Sequence, residues 1–228
     1  MAKFDTWNCP LPNGGVQEEM ALVFERPSPA RLLVLPAWFD EANKLRRQTV
    51  EVMRRLALSG IASVLPDLPG CNDSLAPLTE QTLPGWREAA AAAARHFRAT
   101  HLLSFRAGAL IAPEELPGWR YAPIGGRQVL RAMLRARTVA SKEAGHPETT
   151  EALAELGRRE GIELAGWPLG ATMFTELEVA EVPAEGGLAQ IEQADLGGGS
   201  LWLRAEPDED PEQADALAAI VAIGLARE

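Results

Sequence analysis

Three continuous apolar runs of strand length, separated by two stretches with helical spacing, constrain the fold of this 228-residue chain more than any other feature. The runs cover residues 31–36, 61–65 and 101–105. A strand that is apolar along its length is typical of a mostly parallel sheet with helices on both faces. The strand–helix–strand–helix–strand order indicates right-handed crossovers. We therefore predict an α/β fold in one domain, residues 1–228.

The rest of the chain predicts elements around this centre. The predicted strands are 20–25, 119–124, 162–166 and 201–204, and the predicted helices are 43–60, 83–98, 127–142, 150–160, 171–177 and 214–226. We interpret residues 125–180 as a cap-like helical insertion and residues 206–212 as a solvated acidic linker. The sheet is expected to be truncated at its C-terminal end.

The composition excludes several classes of function. Lys and Arg total 22 against 32 Asp and Glu, a formal net charge of −10, whereas nucleic-acid binding usually needs a basic face. The first residues lack the apolar run of a signal peptide, and no stretch approaches the roughly 18 apolar residues that span a bilayer. We expect a cytoplasmic protein. The two cysteines, Cys9 and Cys71, lie far apart without a C-x-x-C motif, so we expect no disulfide, metal or cofactor.

Residues 104–108, Ser-Phe-Arg-Ala-Gly, form an abrupt turn after the third apolar run. In α/β-hydrolases this place carries G-x-S-x-G, because a strained turn from strand to helix lifts a nucleophilic serine above the sheet. Here the central residue is Arg106, and a protonated guanidinium cannot attack a carbonyl. The following helix can cover only residues 107–111, since Pro113 lacks the donor to continue it. The turn has the form of a nucleophile elbow without the nucleophile.

This turn and three other segments carry a resemblance to a known family. The segments are 35–47, 66–74, 105–109, and 126–130 with 164–169 behind it. Over roughly residues 20–205 the chain resembles the α/β-hydrolase-fold proteins called exosortase A system-associated hydrolase 2. The resemblance implies an α/β-hydrolase-like sheet, a link to bacterial protein sorting and exopolysaccharide export, and an elbow arginine as a family trait. The chain departs from the family at Asn72 and Ser104, where glycine is usual, and in its short elbow helix.

The histidines do not complete a catalytic triad. The triad histidine of an α/β-hydrolase follows the last strand, but the last histidine of this chain is His146. His96 and His101 precede or begin the elbow strand, which puts them at the wrong end of the sheet. The sequence therefore predicts a nominal hydrolase without conventional serine-hydrolase activity.

Four residues in or near the elbow are candidates for catalysis: Arg106, Cys71, Asp73 and Ser104. Cys71 lies in a loop that usually lines the site and would become reactive if a cation lowered its pKa; the alternative is a buried, unreactive thiol. Ser104 lies two residues before the turn, where it either acts as a nucleophile or packs inside. Asp73, like Asp67, either moves protons or caps a turn.

Arg106 needs a partner, because a buried unpaired charge costs several kcal/mol. Either Asp40, Glu41 or Asp73 neutralises it, or its pocket waits for an anionic ligand. In the second case Arg106, Lys44 and Arg46 form a cationic site for carboxylate or phosphate; otherwise the lysine and arginine lie on a solvated helix face. The predicted ligand-binding residues are Trp38, as a pocket wall, with Glu41, Asn43, Lys44 and Arg46.

Three functions stay open at this point. The first is a protein of the exosortase-associated group that has the hydrolase fold without a triad. The second is a non-catalytic binding or scaffold protein that holds a small anionic ligand or a protein partner. The third is an esterase or thioesterase with an unconventional nucleophile such as Cys71. Fold alone does not decide between them, and the sequence does not give the oligomeric state.

Overall fold

The computed structural model describes residues 2–184 and 187–227. The strands in these ranges are β1 Ala2–Pro10, β2 Val16–Phe24, β3 Arg31–Leu35, β4 Ala62–Pro66, β5 His101–Phe105, β6 Gly118–Tyr121, β7 Ile162–Leu164, β8 Trp167–Leu169 and β9 Leu188–Ile191. The helices are α1 Asp40–Leu58, α2 Leu83–His96, α3 Gly126–Glu143, α4 Thr150–Glu160, α5 Ala171–Val179, α6 Gln193–Leu196 and α7 Pro211–Leu225. Short 3-10 turns cover Leu78–Glu80, Arg106–Ile111 and Leu201–Leu203.

Seven strands form one sheet in the order β1-β2-β4-β3-β5-β6-β9. The pairs β1–β2 and β2–β4 are antiparallel, and β4, β3, β5, β6 and β9 run parallel to one another. The strands β7 and β8 form a separate antiparallel hairpin. The predicted α/β fold with a mostly parallel sheet is confirmed. The three apolar runs become β3, β4 and β5, at the centre of the sheet.

Helices cover both faces because successive residues of a strand point to opposite sides. In β3, Leu33 and Leu35 join a buried cluster with α2, α3 and α5, while Leu32 and Val34 join a second cluster with α1 and α7. After β9 the described chain contributes α6, a 3-10 turn and the 15-residue helix α7. In residues 2–184 and 187–227 no helix combines the length and apolarity that a bilayer crossing requires.

The structure corrects four predictions at the level of single elements. No element was predicted for residues 2–10, but they form β1, a nine-residue edge strand whose exposed residues hide the pattern. The strand β9 was missed because only one of its four residues is buried. The predicted strand 201–204 is a 3-10 turn. Helix α1 begins at Asp40, three residues before the predicted start, because Phe39 takes a positive φ of 55° and turns the chain into the helix.

The segment predicted as a cap-like insertion lies between β6 and β9. It contains α3, α4, the β7–β8 hairpin and α5. Helices α4 and α5 approach closely at Gly157, where a Cβ atom would lie 2.6 Å from the ring of Phe174. Buried side chains from these helices join the same cluster as α2, so the segment packs onto one face of the sheet.

Candidate functional site

The elbow is present as a strained turn at the end of β5. Arg106 has a φ of 53°, a conformation that non-glycine residues adopt rarely and that recurs at active sites. Gly108 brings the turn against the end of β3, since a Cβ atom there would lie 2.6 Å from the carbonyl oxygen of Pro36. The turn continues as a short 3-10 helix, Arg106–Ile111, in place of a long elbow helix.

The Arg106 side chain is buried, and each of its three nitrogens donates a hydrogen bond to the protein. Its Nε and one terminal nitrogen donate to the two carboxylate oxygens of Glu41, at 2.9 and 3.0 Å. The other terminal nitrogen donates to the carbonyl oxygen of Ala122 at 2.8 Å. The guanidinium carbon lies 3.9 Å from the ring centre of Trp202. Of the three carboxylates considered from the sequence, Glu41 is the one that neutralises this charge, with the bidentate geometry that arginine favours.

The other two predicted cations have carboxylates of their own. Lys44 Nζ lies 2.8 Å from Asp40, one helical turn earlier in α1. Arg46 lies 3.4 Å from Asp67, which follows β4. Arg106, Lys44 and Arg46 therefore form three separate ion pairs and do not converge on a common point. Asn43 and Asp73 are exposed.

A narrow pocket opens where β3 and β4 end, beside the elbow region. Its walls include Trp38, Arg46 and Cys71, with Trp167 reaching in from the β7–β8 hairpin, whereas Arg106 is not among its lining residues. The rings of Trp38 and Trp86 meet edge to face at 5.0 Å between centres. The Trp38 indole N–H is buried and has no hydrogen-bond partner in the described residues. The structure thus brings three of the predicted residues, Trp38, Arg46 and Cys71, together in a pocket with aromatic walls.

Neither alternative nucleophile is in a reactive environment. Burial, together with the nearby carboxylates of Asp67 and Glu19, raises the pKa of Cys71 to about 12, so the thiol stays protonated at neutral pH. Ser104 is fully buried within β5, and its hydroxyl has no partner in the described residues. Substrate therefore has no access to Ser104, and Cys71 is held in its unreactive form.

No histidine replaces the missing base at the elbow. His101 is the first residue of β5, at the opposite end of the strand from Arg106, and its Nδ1 lies 2.8 Å from Thr100 Oγ1. His96 ends α2, and His146 is exposed after α3. Trp202, from the segment after the last sheet strand, covers the elbow. No group of three His, Cys, Asp or Glu side chains within residues 2–184 and 187–227 is arranged to hold a metal.

A buried carboxylate near Cys71 and Asp67, that of Glu19, escaped the sequence analysis. Glu19 is 2% exposed and accepts hydrogen bonds from Ser74 at 2.6 Å and Gln17 at 3.0 Å. Burial raises the pKa of Glu19, and it also raises the pKa of Asp67 despite the attraction of Arg46. Glu19 alternates in phase with buried Ala21 and Val23 along β2. Its position two residues before Ala21 and four before Val23 was the sequence signal that the Glu19 carboxylate faces inward.

Replacing Glu19 with glutamine is expected to change how stability depends on pH. The raised pKa means that folded Glu19 keeps a proton that the unfolded chain releases, so its contribution is lost as pH rises through the folded pKa. The free energy of unfolding of the wild type, relative to Glu19→Gln, should therefore fall as pH rises from about 4 toward neutral. Urea titrations across this range measure it. Glu18→Gln, on the exposed side of β2, controls for the lost charge, and a pH-independent difference for Glu19→Gln would contradict the prediction.

Comparison with known proteins places this geometry in a known fold. The chain matches no protein-family model and no curated protein sequence. Its structure is similar to Est1E from Butyrivibrio proteoclasticus, with 10% identity, 97% of this chain and 98% of the other covered, and a TM-score of 0.56. It is also similar to mouse alpha/beta hydrolase domain-containing protein 10, with 13% identity, 99% of both chains covered and a TM-score of 0.55. The chain therefore has the α/β-hydrolase fold.

Proposed function

We propose that this chain is a non-catalytic α/β-hydrolase-fold protein of the exosortase A system-associated hydrolase 2 kind. It would work in the cytoplasm as a binding or scaffold component of protein sorting and exopolysaccharide export. One observation carries the proposal: the elbow position that holds a nucleophile in a hydrolase holds Arg106, and both carboxylate oxygens of Glu41 accept from one edge of its guanidinium.

The chemistry of acyl transfer explains why this observation opposes catalysis. A nucleophile needs a lone pair and a base that removes its proton, whereas the guanidinium of Arg106 offers only N–H donors. Three of these donors are used by Glu41 and Ala122. Trp202 lies over the guanidinium, where a triad would need an imidazole. The contacts of the elbow therefore fix the Arg106 guanidinium, and they do not activate a nucleophile.

The pocket beside the elbow supports a binding role. Aromatic rings form its walls, the Trp38 N–H is an unused buried donor, and Arg46 stands at its edge with a side chain 41% exposed. A small anion that competes with Asp67 for the exposed part of Arg46 fits this chemistry. A protein partner is the alternative to a small anion as the molecule that this chain binds.

The link to exosortase rests on the sequence resemblance alone. The resembling segments include the end of β3 with the start of α1, and the loop after β4, which together form the pocket and supply Glu41. The resemblance is therefore concentrated at the site. A gene for an exosortase beside the gene for this chain would support the link, and a genome that has this gene but no exosortase would count against it.

Active-site labelling tests the absence of hydrolase chemistry. The purified chain is expected to hydrolyse p-nitrophenyl esters and thioesters no faster than a heat-inactivated sample, and to give no site-selective adduct with a fluorophosphonate probe. Cys71 should react with iodoacetamide more slowly than free glutathione, because its pKa is raised to about 12. Peptide mapping by mass spectrometry identifies any adduct.

The variant Arg106→Ser makes the same test sharper. It restores a serine at the elbow, but it should remain inactive because the fold provides no histidine to activate it. Rapid labelling of a single serine or of Cys71 in the wild type would overturn the proposal, and it would favour an esterase or thioesterase with an unconventional nucleophile.

A further inference from the structure

Strand β1 forms one edge of the sheet and has little to protect that edge. It pairs with β2 in an unbroken register over nine residues, from Ala2 opposite Phe24 to Pro10 opposite Val16. Natural proteins usually blunt such an edge with a short strand, a bulge, a proline or charged side chains. In β1 the proline is the last residue, Pro10, and the charges of Lys3 and Asp5 are already paired with each other. The opposite edge, β9, has only four residues. The long, regular β1 is therefore the edge suited to pairing with another strand.

One hydrogen bond shows which residues of β1 face outward. The Thr6 N–H donates to its neighbour's carboxylate, Asp5 Oδ1, at 3.0 Å, so it is not part of the ladder to β2. Alternate residues of an antiparallel strand direct both backbone groups to the same side. Ala2 and Phe4 therefore share the outward orientation of Thr6, and the Thr6 N–H becomes available to another strand once Asp5 turns from it to a cation.

The side chains along this stretch are apolar on one face and charged on the other. Phe4 is 69% exposed and lies opposite Leu22 of β2. On the other face Lys3 and Asp5, about half exposed, lie 2.9 Å apart. An exposed phenylalanine between a cation and an anion can pair with the same three residues of a second copy when the two strands run antiparallel, because each charge then lies opposite the other sign.

We propose that two copies of this chain pair antiparallel along β1, with Phe4 of one copy opposite Phe4 of the other. This register sets Lys3 of each copy opposite Asp5 of the other, in the non-hydrogen-bonded positions where side chains are closest. Ala2 pairs with Thr6, and the outward backbone groups of both copies form the ladder. The two phenylalanine rings come together beside the Leu22 side chains and leave water.

The charges select this register over its neighbours. A shift that puts Asp5 opposite Asp5 brings two like charges together, which destabilises a cross-strand pair. A further shift, with Thr6 opposite Thr6, puts Lys3 against buried Cys9 and Asp5 against buried Trp7, and so desolvates both charges. A register shifted by an odd number of residues would place a residue whose backbone groups face outward opposite one whose backbone groups face β2, so no ladder could form. Only pairing through Phe4 matches each charge with its opposite.

Light scattering after size-exclusion chromatography tests the pairing with the full chain. The wild-type mass should rise with concentration, from 24.6 kDa toward twice that value. Lys3→Asp and Asp5→Lys should each weaken association by about tenfold, because each puts like charges across the strand pair. An equimolar mixture of these two variants should restore the dimer, since every acidic pair then faces a basic pair. The double variant K3D/D5K should associate like the wild type.

A disulfide experiment provides an independent readout of the register. Phe4→Cys should form a covalent dimer under mild oxidation, because directly opposite residues of a strand pair lie within disulfide reach. Leu58→Cys, equally exposed but at the end of α1, should not. Circular dichroism confirms that each variant folds. A wild type that is monomeric at all concentrations, a dimer insensitive to both charge reversals, or a variant mixture that stays monomeric would each overturn the proposal.

Discussion

Glu41→Ala is expected to lower the free energy of unfolding by about 3–5 kcal/mol, the cost of leaving a buried charge without its partner. Glu41 supplies two of the three hydrogen bonds that hold the Arg106 guanidinium, and the arginine side chain is only 10% exposed. After the substitution, the Ala122 carbonyl oxygen and the Trp202 ring are left as the contacts that stabilise the Arg106 charge. Urea denaturation followed by circular dichroism measures the loss.

Two variants separate this effect from a general weakening of α1. Asp40→Ala breaks the neighbouring pair with Lys44, but Asp40 is 56% exposed, so the loss should stay below about 1 kcal/mol. The double variant Glu41→Leu/Arg106→Met removes both buried charges and should recover most of the stability lost in Glu41→Ala. Equal losses of unfolding free energy in Glu41→Ala and Asp40→Ala would show that the Glu41–Arg106 ion pair does not stabilise the elbow specifically.

The sequence predicted the need for this ion pair but could not choose the partner. Asp40, Glu41 and Asp73 were all possible, because each belongs to a loop expected above the central strands. The choice depends on the start of α1. Phe39 turns the chain with a positive φ, so α1 begins at Asp40 and its first turn directs Glu41 toward the elbow. A start at Asn43, as predicted, would have left Glu41 in a loop of undefined direction.

Trp202 illustrates a second limit of sequence analysis. We predicted a strand for the segment 201–204, yet it forms a 3-10 turn. Its shape is decided by distant partners: Leu201 is buried in the cluster under α7, and Trp202 meets Tyr121 edge to face at 5.9 Å between ring centres. Local pattern carries no information about such contacts. The central strands were predictable because burial on both faces appears in their own residues.

These contacts together explain how the α/β-hydrolase fold of this chain keeps a strained elbow with an arginine at its centre. A strained elbow is costly and is retained only where the surroundings enforce it. In this chain Arg106 ties the elbow to α1 through Glu41, to the end of β6 through Ala122, and to the C-terminal segment through Trp202. One side chain thus joins three elements that converge at the same edge of the sheet. The contacts of Arg106 therefore stabilise the elbow.

Gly108→Ala is expected to destabilise the chain by about 3 kcal/mol, because the added methyl group overpacks a rigid contact between two backbones. Its Cβ would lie 2.6 Å from the carbonyl oxygen of Pro36 and 2.9 Å from that of Leu35. Both belong to the end of the central strand β3, which cannot move without disturbing β4 and β5. The elbow must therefore shift away from β3 and take Arg106 with it.

Thermal and urea unfolding of Gly108→Ala measure this loss, and Gly199→Ala is the matched control. Gly199 has no atom within 4 Å of the position of an added Cβ, so the same chemical change should alter stability by less than about 0.5 kcal/mol. Combining Gly108→Ala with Glu41→Ala should cost less than the sum of the two single losses, since a displaced elbow already weakens the Arg106 pair. Strict additivity would mean that the glycine contact and the ion pair act independently, and that Gly108 does not position Arg106.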